Sequence, residues 1–272
     1  MCYYLNMSKL ESDNHHSQLP EDILESLKEL NWVGNASDPV LVWFGEEANV
    51  FNLPKSWFTL RVPKYLDDTS KMLQERWKQF AFFHAMIAWN KLGRIPWYIR
   101  VPFIWNDFSI KTGLPEWVIV MKTVCGRTLH YHMMIQELQM NGVDTSWEIF
   151  SQYSDVELIN QFPQYKDLSR LREVDPEDAI KKLFGSVVAS SFMWTLSFLS
   201  KHGLEHRDLH LWNIMLEKEP IEWLMTIYLI DYGKSLVSYA KSAHLIRMGQ
   251  ETYENPIEFE KIWNESWIPL LP

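Results

Sequence analysis

The segment HRDLHLWN, at residues 206–213, restricts what this chain can be more than any other stretch of its sequence. Within it, Asp208 and Asn213 stand five residues apart, behind an apolar run with helical spacing. Eighteen residues past Asn213, a strand-like apolar run ends in Asp231-Tyr232-Gly233. An isolated HRD tripeptide is a weak signal. The tripeptide, the asparagine at this offset and the run into Asp-Tyr-Gly together form a specific combination.

Composition excludes several other classes of protein. The chain of 272 residues is 47% hydrophobic, which is enough for one unit of two lobes or for two small domains. A net charge of −9 argues against a nucleic-acid binder and is compatible with a basic peptide substrate. Two cysteines cannot make a disulfide framework, and neither a secretory signal nor a membrane-length apolar run is visible. We therefore expect an intracellular protein, cytoplasmic or nuclear, that binds neither nucleic acid nor membrane.

The two segments resemble the catalytic loop and the metal-binding segment of the protein-kinase-like superfamily. The resemblance implies that Asp208 orients the acceptor hydroxyl and accepts its proton, and that Asn213 and Asp231 bind magnesium on ATP. Phosphoryl transfer proceeds by positioning and charge neutralisation, so acceptor, metal and phosphates must converge in one cleft. We therefore expect ATP and Mg²⁺ as cofactors. The expected fold class is α+β, a bilobal protein-kinase-like fold with a small β-rich N-lobe and a shortened, mostly helical C-lobe.

Alternating apolar residues from Val40 onward predict a β-hairpin, and a third strand is predicted at residues 57–64. This layout resembles the phosphate-covering loop of kinases and the strand that carries their phosphate-binding lysine. The resemblance places Gly45 and Val50 at the nucleotide and assigns Lys64 as the ATP lysine. The family's loop has the pattern G-x-G-x-x-G, of which only Gly45 is present here. Fewer backbone N–H groups can therefore approach phosphates closely.

A long helix is predicted for residues 69–92. Its expected buried face consists of Leu73, Trp77, Phe80, His84 and Ile87. By the kinase resemblance, Glu75 on this helix pairs with Lys64 and fixes that lysine over the phosphates. The alternative is a solvated glutamate paired with Lys71 or Lys78.

Two further strands are predicted at residues 99–105 and 117–120, joined by a turn at residues 111–113. The second strand continues into MKTVCGRTL, which resembles the interlobe hinge of kinases, where free backbone groups bind the adenine edge. The resemblance implies that Met121 lies at the back of the nucleotide pocket and that Val124 contacts the base through its main chain. The alternative to a hinge is an ordinary strand and turn that precede a helix.

Three segments follow from these assignments. Residues 1–38 are an N-terminal extension with a helix, residues 39–121 are the N-lobe, and residues 122–272 are the hinge and C-lobe. A buried helix is predicted at Leu183–Leu199, leading into the HRD loop. After Gly233 only 39 residues remain, without an Ala-Pro-Glu signature. Little chain is therefore left for the usual C-terminal helices of a kinase.

Details of the loop favour one group within the superfamily. The chain is most similar here to the haspin group of atypical Ser/Thr kinases. The similarity consists of HRDLH in place of HRDLK, a nearby Trp and the Asp-Tyr metal segment. That resemblance implies a Ser/Thr protein kinase with a basic, histone-tail-like substrate. It also implies that His210 stands near the transferred phosphate, where the family usually has Lys. His206 and Arg207 are expected to brace the loop.

Two other functions are consistent with the same residues. A D-L-H-x-x-N loop also occurs in small-molecule kinases of the aminoglycoside-phosphotransferase type. The glycine-poor loop is also compatible with a catalytically weak kinase-fold binding module, such as a viral or bacterial effector. Every charged catalytic residue is present in the sequence, which argues against the binding module.

Overall fold

The computed structural model describes residues 20–29, 39–44, 48–53, 58–104, 114–143, 145, 174–218 and 225–253. Gly45 of the predicted phosphate loop, Cys2 and the predicted turn at 111–113 lie outside these residues. The helices are α1 (Glu21–Glu29), α2 (Thr69–Lys91), α3 (Leu129–Met140), α4 (Pro176–Phe184), α5 (Ser186–Lys201) and α6 (Tyr239–Tyr253). The strands are β1 (Val40–Phe44), β2 (Ala48–Leu53), β3 (Phe58–Pro63), β4 (Ile99–Arg100), β5 (Ile119–Lys122), β6 (Arg127–Thr128), β7 (Leu204–Glu205), β8 (Ile214–Lys218), β9 (Met225–Leu229) and β10 (Leu236–Val237).

The first sheet, which we call the N-terminal sheet, has the antiparallel order β1-β2-β3-β5. Because side chains alternate along a strand, its two faces differ in character. Leu60 and Val62 of β3 face a small core together with Ile23 and Leu27 of α1. On the opposite face of β3 lies Arg61, directly opposite Val50 in the register with β2. The predicted hairpin and third strand are confirmed.

Helix α2 covers the residues predicted for it, but the expected single buried face is wrong. Trp77 is 49% exposed, whereas the polar residues Glu75, Arg76 and Gln79 are buried. The helix is enclosed on more than one side because α6 packs along it. At the contact, a Cβ built on Gly249 of α6 would lie 2.0 Å from the His84 carbonyl oxygen, so only glycine permits this approach.

The second sheet, the C-terminal sheet, has the order β4-β9-β8-β6. Strand β4 pairs in parallel with β9, through Ile99 opposite Ile227. Of the strands predicted at residues 99–105 and 117–120, the structure has β4 and β5, which belong to different sheets. The two segments are joined by an antiparallel bridge between Ile104 and Met121 and by a hydrogen bond from the Lys122 amide to the Phe103 carbonyl at 2.8 Å. The pairing of β4 with β9 was not predicted, because it joins residues that are remote in the sequence.

The C-terminal helices surround the second sheet and the HRD loop. Asp175 begins α4 by accepting a hydrogen bond from the Glu177 amide at 2.7 Å, and Pro176 occupies the first turn. The helix predicted at Leu183–Leu199 is interrupted at Gly185, whose φ of +87° lies in the left-handed region. It is also not buried throughout, since Val187 of α5 is 77% exposed.

The α+β class is therefore confirmed, with a β-rich N-terminal part and a largely helical C-terminal part around two apolar clusters. The predicted boundary between residues 121 and 122 stays a prediction. Among the described helices, none combines the length and apolar character needed to cross a lipid bilayer.

Candidate active site

The HRD loop holds Asp208 and Asn213 together, as their spacing suggests. The Asn213 side-chain amide donates to the Asp208 backbone carbonyl at 2.8 Å, and the same nitrogen lies 3.5 Å from Asp208 Oδ2. Arg207, with a φ of +47°, turns the chain between His206 and Asp208. Its guanidinium contacts Glu205 at 2.9 Å, on the surface. The loop thus presents one carboxylate and one side-chain amide from a single tight turn.

The segment that carries Asp231 is attached directly to this loop. The Ile230 amide donates to the Asn213 carbonyl at 3.0 Å, and His206 Nε2 lies 2.9 Å from the Ile230 carbonyl. Burial lowers the pKa of His206, although the hydrogen bond to Ile230 and the nearby aspartates oppose that effect. The ring is therefore neutral near pH 7, and Nε2–H donates to the carbonyl. The expected bracing role of His206 agrees with this geometry.

Burial of the Tyr232 side chain holds the same segment in place. Its ring is fully buried against Phe82 of α2 and against His206, with centroid distances of 4.9 Å and 5.1 Å. Its hydroxyl donates to the Leu229 carbonyl at 2.8 Å. Asp231 itself has a φ of +61°, a conformation that residues with a side chain adopt rarely and mostly at functional sites. The carboxylate of Asp231 is thus fixed by its neighbours on both sides.

Three charged residues from three elements meet next to this segment. Arg61 Nη2 of β3 lies 3.2 Å from Glu75 Oε2 of α2, and Arg61 Nη1 lies 3.4 Å from Asp231 Oδ2. We call this arrangement the carboxylate bridge. Gly233 lies at its edge, since a Cβ built there would be 3.5 Å from Asp231 Oδ1 and 3.9 Å from Glu75 Oε2. Lys78 of α2 donates to the Gly233 carbonyl at 2.6 Å.

The carboxylate bridge changes the pKa of Asp231. Burial alone raises the pKa of its carboxyl group, but the charge of Arg61 and hydrogen bonds from Gly233 and Arg61 outweigh burial. The pKa of Asp231 is therefore lowered from its usual value, and the group is ionised near pH 7. An ionised carboxylate at this point is what a cation site requires.

Lys64, the predicted ATP lysine, lies one residue beyond the end of β3. The β3 residue whose ion pair with Glu75 the structure shows is Arg61. The sequence contains a signal for Arg61, which stands between the apolar residues Leu60 and Val62 and so lies on the face of β3 opposite to theirs. Lys64 was assigned by the resemblance to the kinase strand that carries the phosphate-binding lysine, and its role stays a prediction.

His210, predicted to stand near the transferred phosphate, is engaged in local structure. Its Nδ1 accepts the Trp212 amide at 3.2 Å and caps the short 3-10 turn Leu211–Asn213. The cation that the structure brings to Asp208 is Lys234, whose ammonium lies 3.1 Å from Asp208 Oδ1. The contacts of Lys78 with Gly233 and of Lys234 with Asp208 were not predicted, because they join distant segments without a sequence motif.

The predicted hinge follows β5 and is tied to the C-terminal sheet. Glu217 of β8 accepts the Cys125 amide at 2.7 Å and the Lys122 ammonium at 3.2 Å. At Gly126, a Cβ would lie 2.0 Å from the Leu216 carbonyl oxygen, so a side chain cannot be accommodated there. Val124 lies between Lys122 and Cys125, the two residues that Glu217 holds, in the position predicted to contact the base.

The predicted nucleotide-binding residues of the N-terminal sheet share one face. Val50 is opposite Arg61, and Met121 is opposite Thr59, which lies two residues before Arg61 on β3. Residues opposite one another, or two apart, point the same way in a sheet. Val50 and Met121 therefore lie on the face that carries Arg61.

The oxygen donors fit magnesium better than a softer metal. The Asn213 side chain uses its nitrogen toward Asp208, so its oxygen is the atom it can offer, and Asp231 adds a carboxylate. Within the described part of the chain, no three His, Cys, Asp or Glu side chains cluster as a metal site. Magnesium suits such a sparse set, since it commonly takes one or two protein oxygens and completes its shell with water and phosphates. Mg²⁺ bound with a nucleotide is thus compatible with these residues.

Comparisons with known proteins give structural similarity without sequence similarity. No protein-family model matches the chain, and no curated protein sequence is similar to it. Among solved structures, the Rio2 kinase–ADP/Mg²⁺–phosphoaspartate complex from Chaetomium thermophilum is similar, at 14% identity and a TM-score of 0.38 over 86% of this chain. The chain spans 60% of that kinase chain. The streptomycin–ATP–APH(2")-IIa ternary complex is similar at 14% identity and a TM-score of 0.33, covering 87% of this chain and 82% of the other.

Proposed function

We propose that the chain is an ATP- and magnesium-dependent phosphotransferase that acts on Ser/Thr hydroxyls of a protein. The observation that carries the proposal is the joining of two motifs in one place. The Asn213 side chain bonds to Asp208, and its backbone carbonyl accepts the amide that precedes Asp231. A base for the acceptor and two metal ligands are therefore held on adjacent turns of chain, as phosphoryl transfer requires.

Each residue of the site has a task in this proposal. Asp208 orients the acceptor hydroxyl and takes its proton, while Lys234 shields the carboxylate. Asn213 and Asp231 supply oxygens to magnesium, which neutralises phosphate charge when bound. Glu75 fixes a β3 cation on the sheet face that also carries Val50 and Met121. Val124, between Lys122 and Cys125, which are both held by Glu217, offers its main chain to the base.

A basic, histone-tail-like protein substrate is part of the proposal, on the ground of the acidic net charge of −9. One of the acidic residues that could have attracted such a substrate, Glu217, is 8% exposed and is engaged with the hinge. Glu251 on α6 and the residues Glu177 and Asp178 at the start of α4 belong to the described surface.

Transfer of radiolabelled phosphate from ATP tests the proposal. The purified protein is incubated with Mg²⁺ and either a degenerate Ser/Thr peptide library, aminoglycosides or simple sugars. Basic, neutral and acidic peptide pools are compared at low and high salt, and the Asp208→Asn variant serves as the inactive control. We expect labelling of peptides, with basic flanks preferred most at low salt.

The competing functions have distinct outcomes in the same experiment. Labelling of an aminoglycoside or sugar but not of peptides would assign a small-molecule kinase. Absence of ATP binding together with absence of transfer would indicate the binding module. Peptide labelling that is indifferent to flanking charge and to salt would remove the basic substrate but keep the kinase.

A further inference from the structure

The carboxylate bridge contains one arginine between two acids whose surroundings differ. The Glu75 side chain is 5% exposed, whereas the Asp231 side chain is 35% exposed. A buried carboxylate needs a permanent cationic partner, because an uncompensated buried charge is strongly destabilising. A partly exposed carboxylate can exchange its partner for water or for another cation. The contact of Arg61 with Glu75 is therefore structural, and its contact with Asp231 is replaceable.

Geometry supports the same division. A guanidinium is a rigid fork, so different nitrogens can serve different acids. Nη2 lies 3.2 Å from Glu75, while Nη1 lies 3.4 Å from Asp231. The backbone of Arg61 is paired with β2 on one side and β5 on the other. Arg61 is thus fixed at its backbone and gives one nitrogen to each acid, and of these two contacts the one with Asp231 is the more exposed to solvent.

We infer that Arg61, and not Lys64, is the β3 cation that binds the nucleotide phosphates, and that without nucleotide it competes with divalent metal for Asp231. The inference rests on the function proposed above and names how that site is regulated. Arg61 screens the metal-binding carboxylate, so metal alone binds weakly. When a phosphate group is bound, Nη1 can contact the phosphate instead of Asp231. The Asp231 carboxylate is then available to the metal. Metal and nucleotide therefore favour each other's binding.

A purely structural ion pair would behave differently. Loss of a structural bridge loosens the site, so metal and nucleotide would both bind more weakly. Loss of a competing cation has opposite effects on the two ligands, because the positive charge repels metal and attracts phosphate. The sign of the change in metal affinity consequently separates the two explanations.

The test measures binding rather than turnover. Mn²⁺, whose free concentration is read by electron paramagnetic resonance, is titrated into the whole protein without nucleotide. A fluorescent ATP analogue is then titrated at saturating Mn²⁺. For Arg61→Gln we expect metal alone to bind at least about tenfold more tightly, and the nucleotide at least about tenfold more weakly. Arg94→Gln removes the same charge from an exposed residue and should change neither affinity.

A second variant is needed because Arg61→Gln removes a cation from the buried Glu75 and can unfold the protein. Arg61→Lys keeps a charge for Glu75 but has a single nitrogen, so it cannot serve both acids in the same way. Metal affinity should rise for this variant, while nucleotide affinity should stay within about threefold of wild type. For Lys64→Ala, the affinities for metal and for nucleotide should both stay within about threefold of wild type.

Three results would overturn the inference. If metal alone binds Arg61→Gln and Arg61→Lys no more tightly than wild type, Arg61 does not compete at Asp231. If nucleotide affinity falls with Lys64→Ala and not with Arg61→Gln, Lys64 is the phosphate-binding cation. If wild type binds neither nucleotide nor Mn²⁺, the proposed function fails and takes the inference with it. The first two results leave the proposed function intact.

Discussion

The carboxylate of Glu217 on β8 accepts the backbone amide of Cys125 at 2.7 Å, so the predicted hinge is anchored to the C-terminal sheet. The second oxygen of Glu217 binds Lys122 at 3.2 Å, and the same ammonium lies 3.1 Å from the Tyr228 hydroxyl. One side chain therefore sets the position of the chain on both sides of Val124. The position of the backbone that is predicted to bind the base depends on this acid.

Replacement of Glu217 by Ala should lower the free energy of unfolding by about 2–3 kcal/mol, because it removes the buried carboxylate that accepts from both the Cys125 amide and the Lys122 ammonium. Glu217→Gln keeps an acceptor for Cys125 and should cost less. Chemical denaturation measures both. The control is Glu205→Gln, which removes the exposed pair with Arg207 and should cost no more than about 1 kcal/mol. Equal losses for the two glutamates would contradict a special role for Glu217.

Replacement of Asp231 by Asn should abolish phosphoryl transfer while the protein remains folded. The loss of one anionic metal ligand should reduce the transfer rate at least about a hundredfold. Radiolabel transfer gives the rate, and circular dichroism checks the fold. Asp178→Asn, on the surface of α4, is the matched control. A wild-type rate for Asp231→Asn would show that this residue is not a metal ligand.

Arg61 and Lys64 can be compared by activity as well as by binding. Lys64→Ala should keep at least about a third of the transfer rate if Arg61 is the phosphate-binding residue, whereas Arg61→Gln should lose most of it. The measurement is kcat and KM for ATP with the preferred peptide. Complete loss of transfer in a folded Lys64→Ala protein would favour the assignment made from the sequence.

Acid should destabilise the protein through His84. Burial lowers the pKa of His84 from 6.5 to about 4, although a hydrogen bond to the Gly249 backbone acts in the opposite direction. The unfolded chain therefore binds a proton in a range where the folded chain does not. The stabilisation is complete above about pH 6.5 and is lost as the pH falls towards 4, by at most about 3 kcal/mol.

Chemical denaturation at pH 7 and at pH 4.5 measures this effect. The loss on acidification should be smaller in His84→Gln than in wild type, and unchanged in His244→Gln, which alters an exposed histidine on α6. If His84→Gln shows the same acid loss as wild type, the source of the acid sensitivity lies elsewhere.

The contact between α6 and α2 should be intolerant of any side chain at position 249. Gly249→Ala places a methyl group 2.0 Å from the His84 carbonyl oxygen, so one helix must move. We expect a loss of about 2 kcal/mol or more in the free energy of unfolding. Ala243→Ser, at an exposed position on the same helix, should change it by less than about 0.5 kcal/mol. A Gly249→Ala protein as stable as wild type would show that the helices can separate without cost.

The sequence was most informative where structure is local. The offset between Asp208 and Asn213 fixes a hydrogen-bonded turn within six residues, and alternation in β2 and β3 fixes which residues share a face. It was least informative where a contact joins distant segments. The parallel pairing of β4 with β9 and the covering of α2 by α6 depend on chain closure over long separations, which no local period encodes.

The candidate site shows the same division. Asp208, Asn213 and Asp231 lie in recognisable motifs, and the structure brings them together. Arg61 lies within β3 and Lys64 just beyond its end, and strand ends are poorly determined by local sequence. His210 was given a role from its place in a motif, whereas its ring is engaged with the Trp212 amide.

The path of the chain after Tyr232 restricts how ligands can approach the site. The segment is fixed on one side by β9 and on the other by β10, which pairs with β7, and by α6 on α2. Because this segment is short and is fixed at both ends, it has few alternative conformations. A small molecule that displaced the buried Tyr232 ring would have to break its packing against Phe82 of the helix that carries Glu75 and against His206. Ligands of this site should therefore be sought among compounds that bind with the Tyr232 ring in place.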